Sequence, residues 1–160
     1  MSASAKVDIE AAVEFFSAAV DFDWTWGVED VQRFSQILGW KPADFGTEST
    51  VVMLTKARLE KPFATFTLDG RRIDEVTIDL TDFVESPARE FQLNAFAVVS
   101  TSLNETLGQP LVQSVGRKPK VLWRSANFIA ELVVLNHNVT ASVIRLDYWA
   151  IVDELYARGV

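Results

Sequence analysis

Cysteine is absent from this sequence of 160 residues, and histidine occurs once, as His137. Without thiols the chain offers no disulfide, no thiolate zinc or iron–sulfur site and no cysteine nucleophile. A single imidazole also excludes a metal site built from several histidines. We therefore predict that the protein has no metal site.

The glycines are few and match neither the G-x-G-x-x-G fingerprint nor a P-loop, and no G-x-S-x-G sequence is present. Those patterns would indicate binding of a dinucleotide, binding of a phosphate or a nucleophilic serine. His137 stands between two asparagines, which is typical of a turn with a solvated imidazole. The sequence thus predicts no catalytic residue and no cofactor, and we expect a protein that is not an enzyme.

Long apolar runs are also missing: no stretch reaches the roughly 18 to 20 uninterrupted apolar residues of a membrane-spanning helix. The first residues lack the apolar segment of a signal peptide, because Asp8, Glu10 and Glu14 interrupt the apolar positions. We expect a cytoplasmic protein without a membrane partner.

What the sequence does contain is an unevenly placed negative charge. The net charge is −7, and residues 1–55 carry nine acidic and three basic side chains, which leaves −6 in that segment. Such a field repels nucleic acid and speeds the encounter with a basic protein. We therefore predict a basic protein partner and no nucleic-acid partner.

Apolar residues at helical spacing predict helices over residues 7–21 and 28–38, and a long helix that begins after Ser86-Pro87 and ends before Gly108. Alternating residues predict six strands and a last helix. The expected strands cover 50–55, 63–68, 73–80, 121–124, 128–135 and 139–146, and the helix 148–157.

These elements indicate an α+β fold in the order ααβββαβββα, with an antiparallel sheet of about five to six strands and the helices segregated to one side. The hairpin between the second and third strands is expected to turn through a three-residue loop, Asp69–Arg71, which keeps an even register. Residues 1–160 are expected to form one domain, with residues 1–6 flexible.

Two acidic segments are candidates for a partner-binding surface. In the first, Asp21 and Asp23 alternate with aromatic side chains, and Trp24 or Trp26 could anchor an interface. The second segment combines an outer sheet face with the loop that leaves it. Its candidate residues are Glu75 and Asp79 on the face, with Asp82 and Glu85 on the loop. The structural alternatives are a solvated acidic surface and tryptophans that belong to the core.

The spacing of tryptophan, glycine and proline between residues 15 and 147 resembles a family of small acidic actinobacterial proteins from polymorphic-toxin neighbourhoods, regarded as candidate immunity proteins. The residues that carry the resemblance are Trp24-x-Trp26, Gly39-Trp40, Asp69-Gly70, Leu107-Gly-x-Pro110 and Pro119-x-x-x-Trp123. The resemblance implies a non-enzymatic antitoxin that binds and occludes a secreted toxin domain. Some toxins of these neighbourhoods are NAD glycohydrolases or nucleases, and the pattern does not identify which.

The predicted order of elements is also similar to the fold of small acidic secretion chaperones, which dimerise and hold an effector segment. The first helix and the sixth strand depart from that pattern. This similarity implies the alternative function, an acidic chaperone for an effector, and it leaves open whether the protein is a monomer or a homodimer.

Overall fold

The computed structural model describes residues 5–84, 89–116 and 118–157. Within these ranges, four helices and eight strands follow one another in the order ααββββαββββα. The helices are α1 (Ile9–Asp21), α2 (Glu29–Leu38), α3 (Arg89–Leu107) and α4 (Leu146–Ala157). The strands are β1 (Lys41–Thr47), β2 (Thr50–Leu54), β3 (Phe63–Asp69), β4 (Arg72–Asp79), β5 (Val112–Ser114), β6 (Lys120–Arg124), β7 (Phe128–Val134) and β8 (Val139–Arg145). The expected start of the third helix at Ser86-Pro87 lies outside the described residues.

All eight strands form one antiparallel sheet in the order β1-β2-β3-β4-β8-β7-β6-β5. The α+β class is confirmed, but the expectation of five to six strands and the expected element order were wrong. The two strands that were missed, β1 and β5, are the sheet edges. β1 contains Pro42 and Gly46 and is exposed along most of its length, so it lacks the alternation that a buried face imposes.

The β3–β4 hairpin turns differently from the expectation. Asp69 pairs with Arg72, so the loop contains two residues, and its glycine, Gly70, has a positive φ of 61°. The expected three-residue loop was wrong, but the even register was right, since Phe66 faces Val76. A bulge that leaves Asp74 without a partner on β3 supplies the extra residue.

The main core lies between one face of the sheet, here called the inner face, and the helices α1, α2 and α3. Phe15 and Phe34 from α1 and α2 are fully buried, and Trp40 packs against both rings. On α1 the buried side of the helix includes Phe15, whereas Val20 is 43% exposed.

The helix α4 packs on the opposite face of the sheet, called the outer face. Its residues Tyr148 and Trp149 contact a separate cluster formed by Leu122, Ile129 and Ile144. These residues alternate with inner-face residues along β6, β7 and β8, so the three strands are apolar on both faces. The expectation that the helices lie on one side was therefore wrong for α4.

Two features connect distant parts of the chain. Arg145 at the end of β8 donates to the Asp74 carboxylate at 2.8 Å and to the carbonyl of Ile73, and this ion pair is buried. Lys6 exchanges hydrogen bonds with Asp82. Among the helices of the described ranges, none has the length and apolar character needed to cross a membrane.

Candidate functional site

The part of the outer face that α4 leaves open is built mainly from polar side chains. Strand alternation and the registers of β3, β4, β8 and β7 place these residues side by side. The open outer face comprises Thr65, Thr67, Glu75, Thr77, Asp79, Thr140, Ser142, Glu131 and Val133. It therefore contains Glu75 and Asp79, two of the candidates from the sequence, and it adds Glu131.

The three carboxylates of this face are half-buried, and burial disfavours their charged form. Burial raises the pKa of Asp79 to about 6, although the hydrogen bond from Asn138 Nδ2 to Asp79 Oδ1, at 3.0 Å, acts in the opposite direction. Burial also raises the pKa of Glu75, and the charges of Glu131 and Asp74 add to that shift. The pKa of Glu131 is raised by burial and lowered in part by the charge of Lys120.

Small hydroxyl side chains separate these carboxylates. Thr77 and Ser142 share a hydrogen bond of 2.8 Å between their Oγ atoms, across β4 and β8. Thr140 and Ser142 are only 5% and 4% exposed, although α4 covers other residues of this face. The centre of the open outer face is thus a well-packed polar surface from which water is largely displaced.

An apolar group stands at the β1 end of the same face. Phe45 is 56% exposed and packs edge-on against Phe63, with ring centroids 5.0 Å apart. Leu54, 40% exposed, is paired with Phe63 in the β2–β3 register. The last β3–β4 pair is Ala64 with Ile78, so the next residues on the two strands, Phe63 and Asp79, are neighbours. Exposed aromatic side chains beside desolvated charges are typical of protein interfaces.

Glu75 and Asp79 have no cationic partner in the part of the chain that the structure describes, where the ion pairs involve other acidic residues. The carboxylates therefore bear a desolvation cost that no lysine or arginine of these ranges offsets. A cation brought by another molecule would offset it.

The segment with Asp21, Asp23, Trp24 and Trp26 lies elsewhere, at the junction of α1 and α2. Both aspartates are exposed, whereas the two tryptophans are half-buried against the main core. Trp24 Nε1 donates to the carbonyl of Ala19 at 3.0 Å. Each tryptophan thus supports the structure and leaves only part of its ring open to a partner.

Asp30 holds this segment and was not recognised from the sequence. It is fully buried, and one carboxylate oxygen accepts the backbone N–H groups of Thr25 and Trp26, each at 2.8 Å. Trp26 takes a positive φ of 63°, which is rare for a bulky residue and is maintained here by these bonds. The signal that the sequence offered for Asp30 was its position as an acidic residue in the first turn of the helix predicted over residues 28–38.

Asp82, the remaining candidate within the described residues, joins neither surface. Asp82 accepts backbone N–H groups from Lys6 at 2.9 Å and Glu60 at 2.8 Å, so its carboxylate fastens two loops. Glu85 lies outside the described residues. The described candidates therefore lie in three places. Glu75 and Asp79 are on the open outer face, the candidates of segment 21–26 are at the junction of α1 and α2, and Asp82 binds two loops.

Sequence reasoning missed two residues of this surface, Glu131 and Phe45, and only one of them had a signal in the sequence. Glu131 is the single carboxylate in the otherwise apolar strand β7, and alternation places it on the face opposite the core. Phe45 gave no signal, because its strand has no alternating pattern. No group of three or more metal-ligating side chains is found among the described ranges.

The chain belongs to a family of unknown function, DUF6301, whose match covers residues 10–145. No curated protein matches the sequence significantly. Among solved structures, the crystal structure of a DUF4309 family protein (YjgB) from Bacillus subtilis subsp. subtilis str. 168 is similar at a TM-score of 0.44 and 13% identity. That similarity covers 86% of this chain and 97% of the other chain.

Proposed function

We propose that this member of the DUF6301 family is a non-enzymatic immunity protein that binds a secreted toxin domain and occludes it. The proposal rests on the resemblance to proteins of toxin neighbourhoods and on one structural observation. That observation is the open outer face, where the half-buried carboxylates of Glu75 and Asp79, which form no ion pair in the described ranges, stand beside the exposed ring of Phe45.

The chemistry of the face determines what kind of partner it suits. Lysine or arginine side chains of the partner would pair with Glu75, Asp79 and Glu131, and the gain is large because these carboxylates are already desolvated. Phe45 and Leu54 would be buried by apolar residues of the same partner. The excess of acidic residues in the first 55 positions would attract the basic surface from a distance.

In this proposal the protein acts in the cytoplasm, and Asp21, Asp23, Trp24 and Trp26 form a second, smaller contact area. The toxin is inhibited because its basic surface is covered. A nuclease or an NAD glycohydrolase would both suit the proposal, since each binds an anionic substrate.

The test is co-expression with the product of the adjacent reading frame, followed by measurement of affinity. Glu75→Lys with Asp79→Lys should remove protection from toxicity and weaken binding at least about 100-fold, since charge reversal replaces attraction by repulsion. Asp21→Lys with Asp23→Lys changes the net charge equally and should weaken binding much less. Equal losses in the two double variants would exclude the outer face as the specific surface.

The apolar half of the face has its own matched pair of variants. Phe45→Ala should weaken binding about 10-fold or more, whereas Val98→Ala, at a residue that is 48% exposed on α3, should leave it unchanged. Full affinity in the Phe45 variant would contradict the proposed anchor. Dimerisation, together with binding of an unfolded effector segment in place of a folded domain, would instead identify a secretion chaperone.

A further inference from the structure

The sheet edge at β5 lies at the opposite end of the sheet from β1 and shares no residue with either surface described above. In the described ranges, β6 is the one strand that pairs with β5, and the pairing extends to Leu111, whose N–H donates to the Leu122 carbonyl at 2.7 Å. An edge strand presents a row of backbone N–H and C=O groups that have no strand partner, and another extended chain can pair with this row. Residues 111–115 are therefore a candidate site for strand addition.

The two edges of the sheet differ in how strongly they discourage a further strand. β1 begins with Lys41 and Pro42, and a bulge between Pro42 and Gly46 interrupts its pairing with β2. Lysine, proline and bulges at an edge all oppose strand addition. Residues 111–115 contain no charged residue and no proline, and three of their side chains are apolar and exposed. The exposed fractions are 56% for Leu111, 43% for Val112 and 94% for Val115. Of the two edges, β5 is thus the better suited to accept another strand.

The surroundings of the β5 edge are basic. Residues 106–130 contain four basic side chains and no acidic one, in a chain whose net charge is −7. Lys118 and Arg124 are exposed and form no ion pair within the described ranges, and the β5–β6 register places one of them beyond each end of β5. Arg89 adds a positive charge at the Lys118 end, where it donates to the Gly116 carbonyl at 2.9 Å. A segment that carries carboxylates would be attracted to both ends of this edge.

Two other occupants suit this edge less well. Single-stranded nucleic acid is usually held by aromatic rings on which its bases stack, and the two aromatic side chains of residues 106–130, Trp123 and Phe128, are fully buried. A second copy of the chain that paired its β5 with this β5 would bring two basic edges together, and like charges oppose that contact. An acidic peptide meets neither obstacle.

We propose that the β5 edge binds an extended acidic peptide segment of a partner protein as a ninth strand of the sheet. The backbone of the peptide pairs with residues 111–115, and its carboxylates pair with Lys118 and Arg124. Its apolar side chains cover Val112 and Val115. Backbone pairing provides affinity, and the charges provide the preference for an acidic sequence. This partner is opposite in charge to the one proposed for the outer face, so each proposal can fail without the other.

Three octapeptides test the proposal on the full chain. In the first, glutamate alternates with valine; the second has lysine in place of glutamate; the third is the acidic peptide methylated on its two central backbone nitrogens. Titrations are followed by the NMR shifts of the amides of residues 111–115, which the acidic peptide should change. The lysine peptide should bind at least about 20-fold more weakly because its charges are repelled. The methylated peptide should bind about 10-fold more weakly, since adjacent N–H groups point to opposite edges of a strand and both edges are then blocked.

Charge reversal tests the basic side chains. Lys118→Glu with Arg124→Glu should weaken binding of the acidic peptide about 20-fold or more and make the lysine peptide the tighter ligand. Lys41→Glu with Lys61→Glu is the matched control, because it changes the net charge equally at two exposed lysines outside the β5 edge. The control should keep the preference for the acidic peptide.

A second pair of variants tests the apolar side chains. Val112→Ser should weaken binding of the acidic peptide about 3- to 10-fold, whereas Val20→Ser, at a residue of α1 that is also 43% exposed, should leave it unchanged. The proposal is overturned if the acidic peptide shifts no amide of the edge, or if the lysine or the methylated peptide binds as tightly. It is also overturned if an eight-nucleotide oligothymidylate binds the edge more tightly, or if light scattering shows a dimer whose β5 amides are already protected from hydrogen exchange.

Discussion

Trp24 and Trp26 stack on each other, with ring centroids 4.4 Å apart and ring planes inclined by 12°. The stack occurs where the backbone turns sharply. The positive φ of Trp26 provides that turn, and the Asp30 carboxylate fixes it through two backbone N–H groups. The aromatic pair is thus a product of one buried acidic residue.

Asp30→Ala should therefore destabilise the protein by about 3 kcal/mol, since two part-buried backbone N–H groups lose their acceptor and the turn loses its support. Urea unfolding followed by tryptophan fluorescence measures the change. Glu29→Ala is the matched control, because Glu29 is an exposed neighbour that accepts a hydrogen bond from Thr25 Oγ1, at 3.1 Å. This variant should change stability by less than about 0.5 kcal/mol. Similar losses in both variants would contradict the role given to Asp30.

The buried pair of Arg145 and Asp74 leads to a second prediction. Asp74→Ala leaves a buried guanidinium without its counter-charge and should cost about 3 to 5 kcal/mol. Changing both partners, as Asp74→Leu with Arg145→Met, should recover most of that loss, because no buried charge remains. Asp147→Ala, at an exposed carboxylate 3.6 Å from Arg145 Nη1, should have little effect. Thermal unfolding of the three variants decides, and a double variant that loses as much stability as Asp74→Ala would show that the two charges are not coupled.

The sequence predicted those elements that have at least one buried face. The strands β2, β3, β4, β6, β7 and β8 and the helices α1 and α2 were found near their observed positions. The edge strands β1 and β5 were missed because both are mostly exposed. In an exposed strand, apolar and polar residues do not alternate as they do when one face is buried.

The candidate site was predicted less completely, for a related reason. The alternation of side chains along β4 correctly predicted that Glu75 and Asp79 lie on the outer face, because this alternation depends only on residues that are close in sequence. The neighbours that complete the face, Glu131 and Phe45, are distant in sequence. Their position depends on the β4–β8–β7 strand order and on an unrecognised edge strand, neither of which the sequence pattern contains. Tertiary pairing, rather than local preference, assembles the face.

The raised pKa of Asp79, about 6 against an ordinary value of 3.8, predicts how stability depends on pH. As pH falls through 6, the native state takes up a proton that the unfolded state does not yet bind, so the free energy of unfolding rises. Above that pH the charged carboxylate bears its full desolvation cost. Asp79→Asn should therefore stabilise the protein relative to the wild type at pH 8, and this advantage should shrink by pH 5.

Denaturant unfolding of both proteins at several pH values measures this difference. Ser142→Ala, on the same face but without a titrating group, should show a difference from the wild type that does not vary with pH. Asn138→Ala removes the hydrogen bond that favours the charged carboxylate, so it should move the transition to a higher pH. An Asp79→Asn advantage that is constant between pH 8 and pH 5 would show that this carboxylate is not desolvated.

If the outer face binds a basic partner, the same carboxylates make the affinity depend on pH. A partner cation beside Asp79 lowers its pKa in the complex, so binding favours the deprotonated form, and the affinity should fall as pH drops below about 6. The raised pKa values of Glu75 and Glu131 add to the effect in the same direction. Titration calorimetry between pH 7.5 and 5 should show weaker binding in acid. The Asp79→Asn complex should be weaker at neutral pH and change less with pH, whereas an undiminished pH dependence in this variant would assign the effect to other groups.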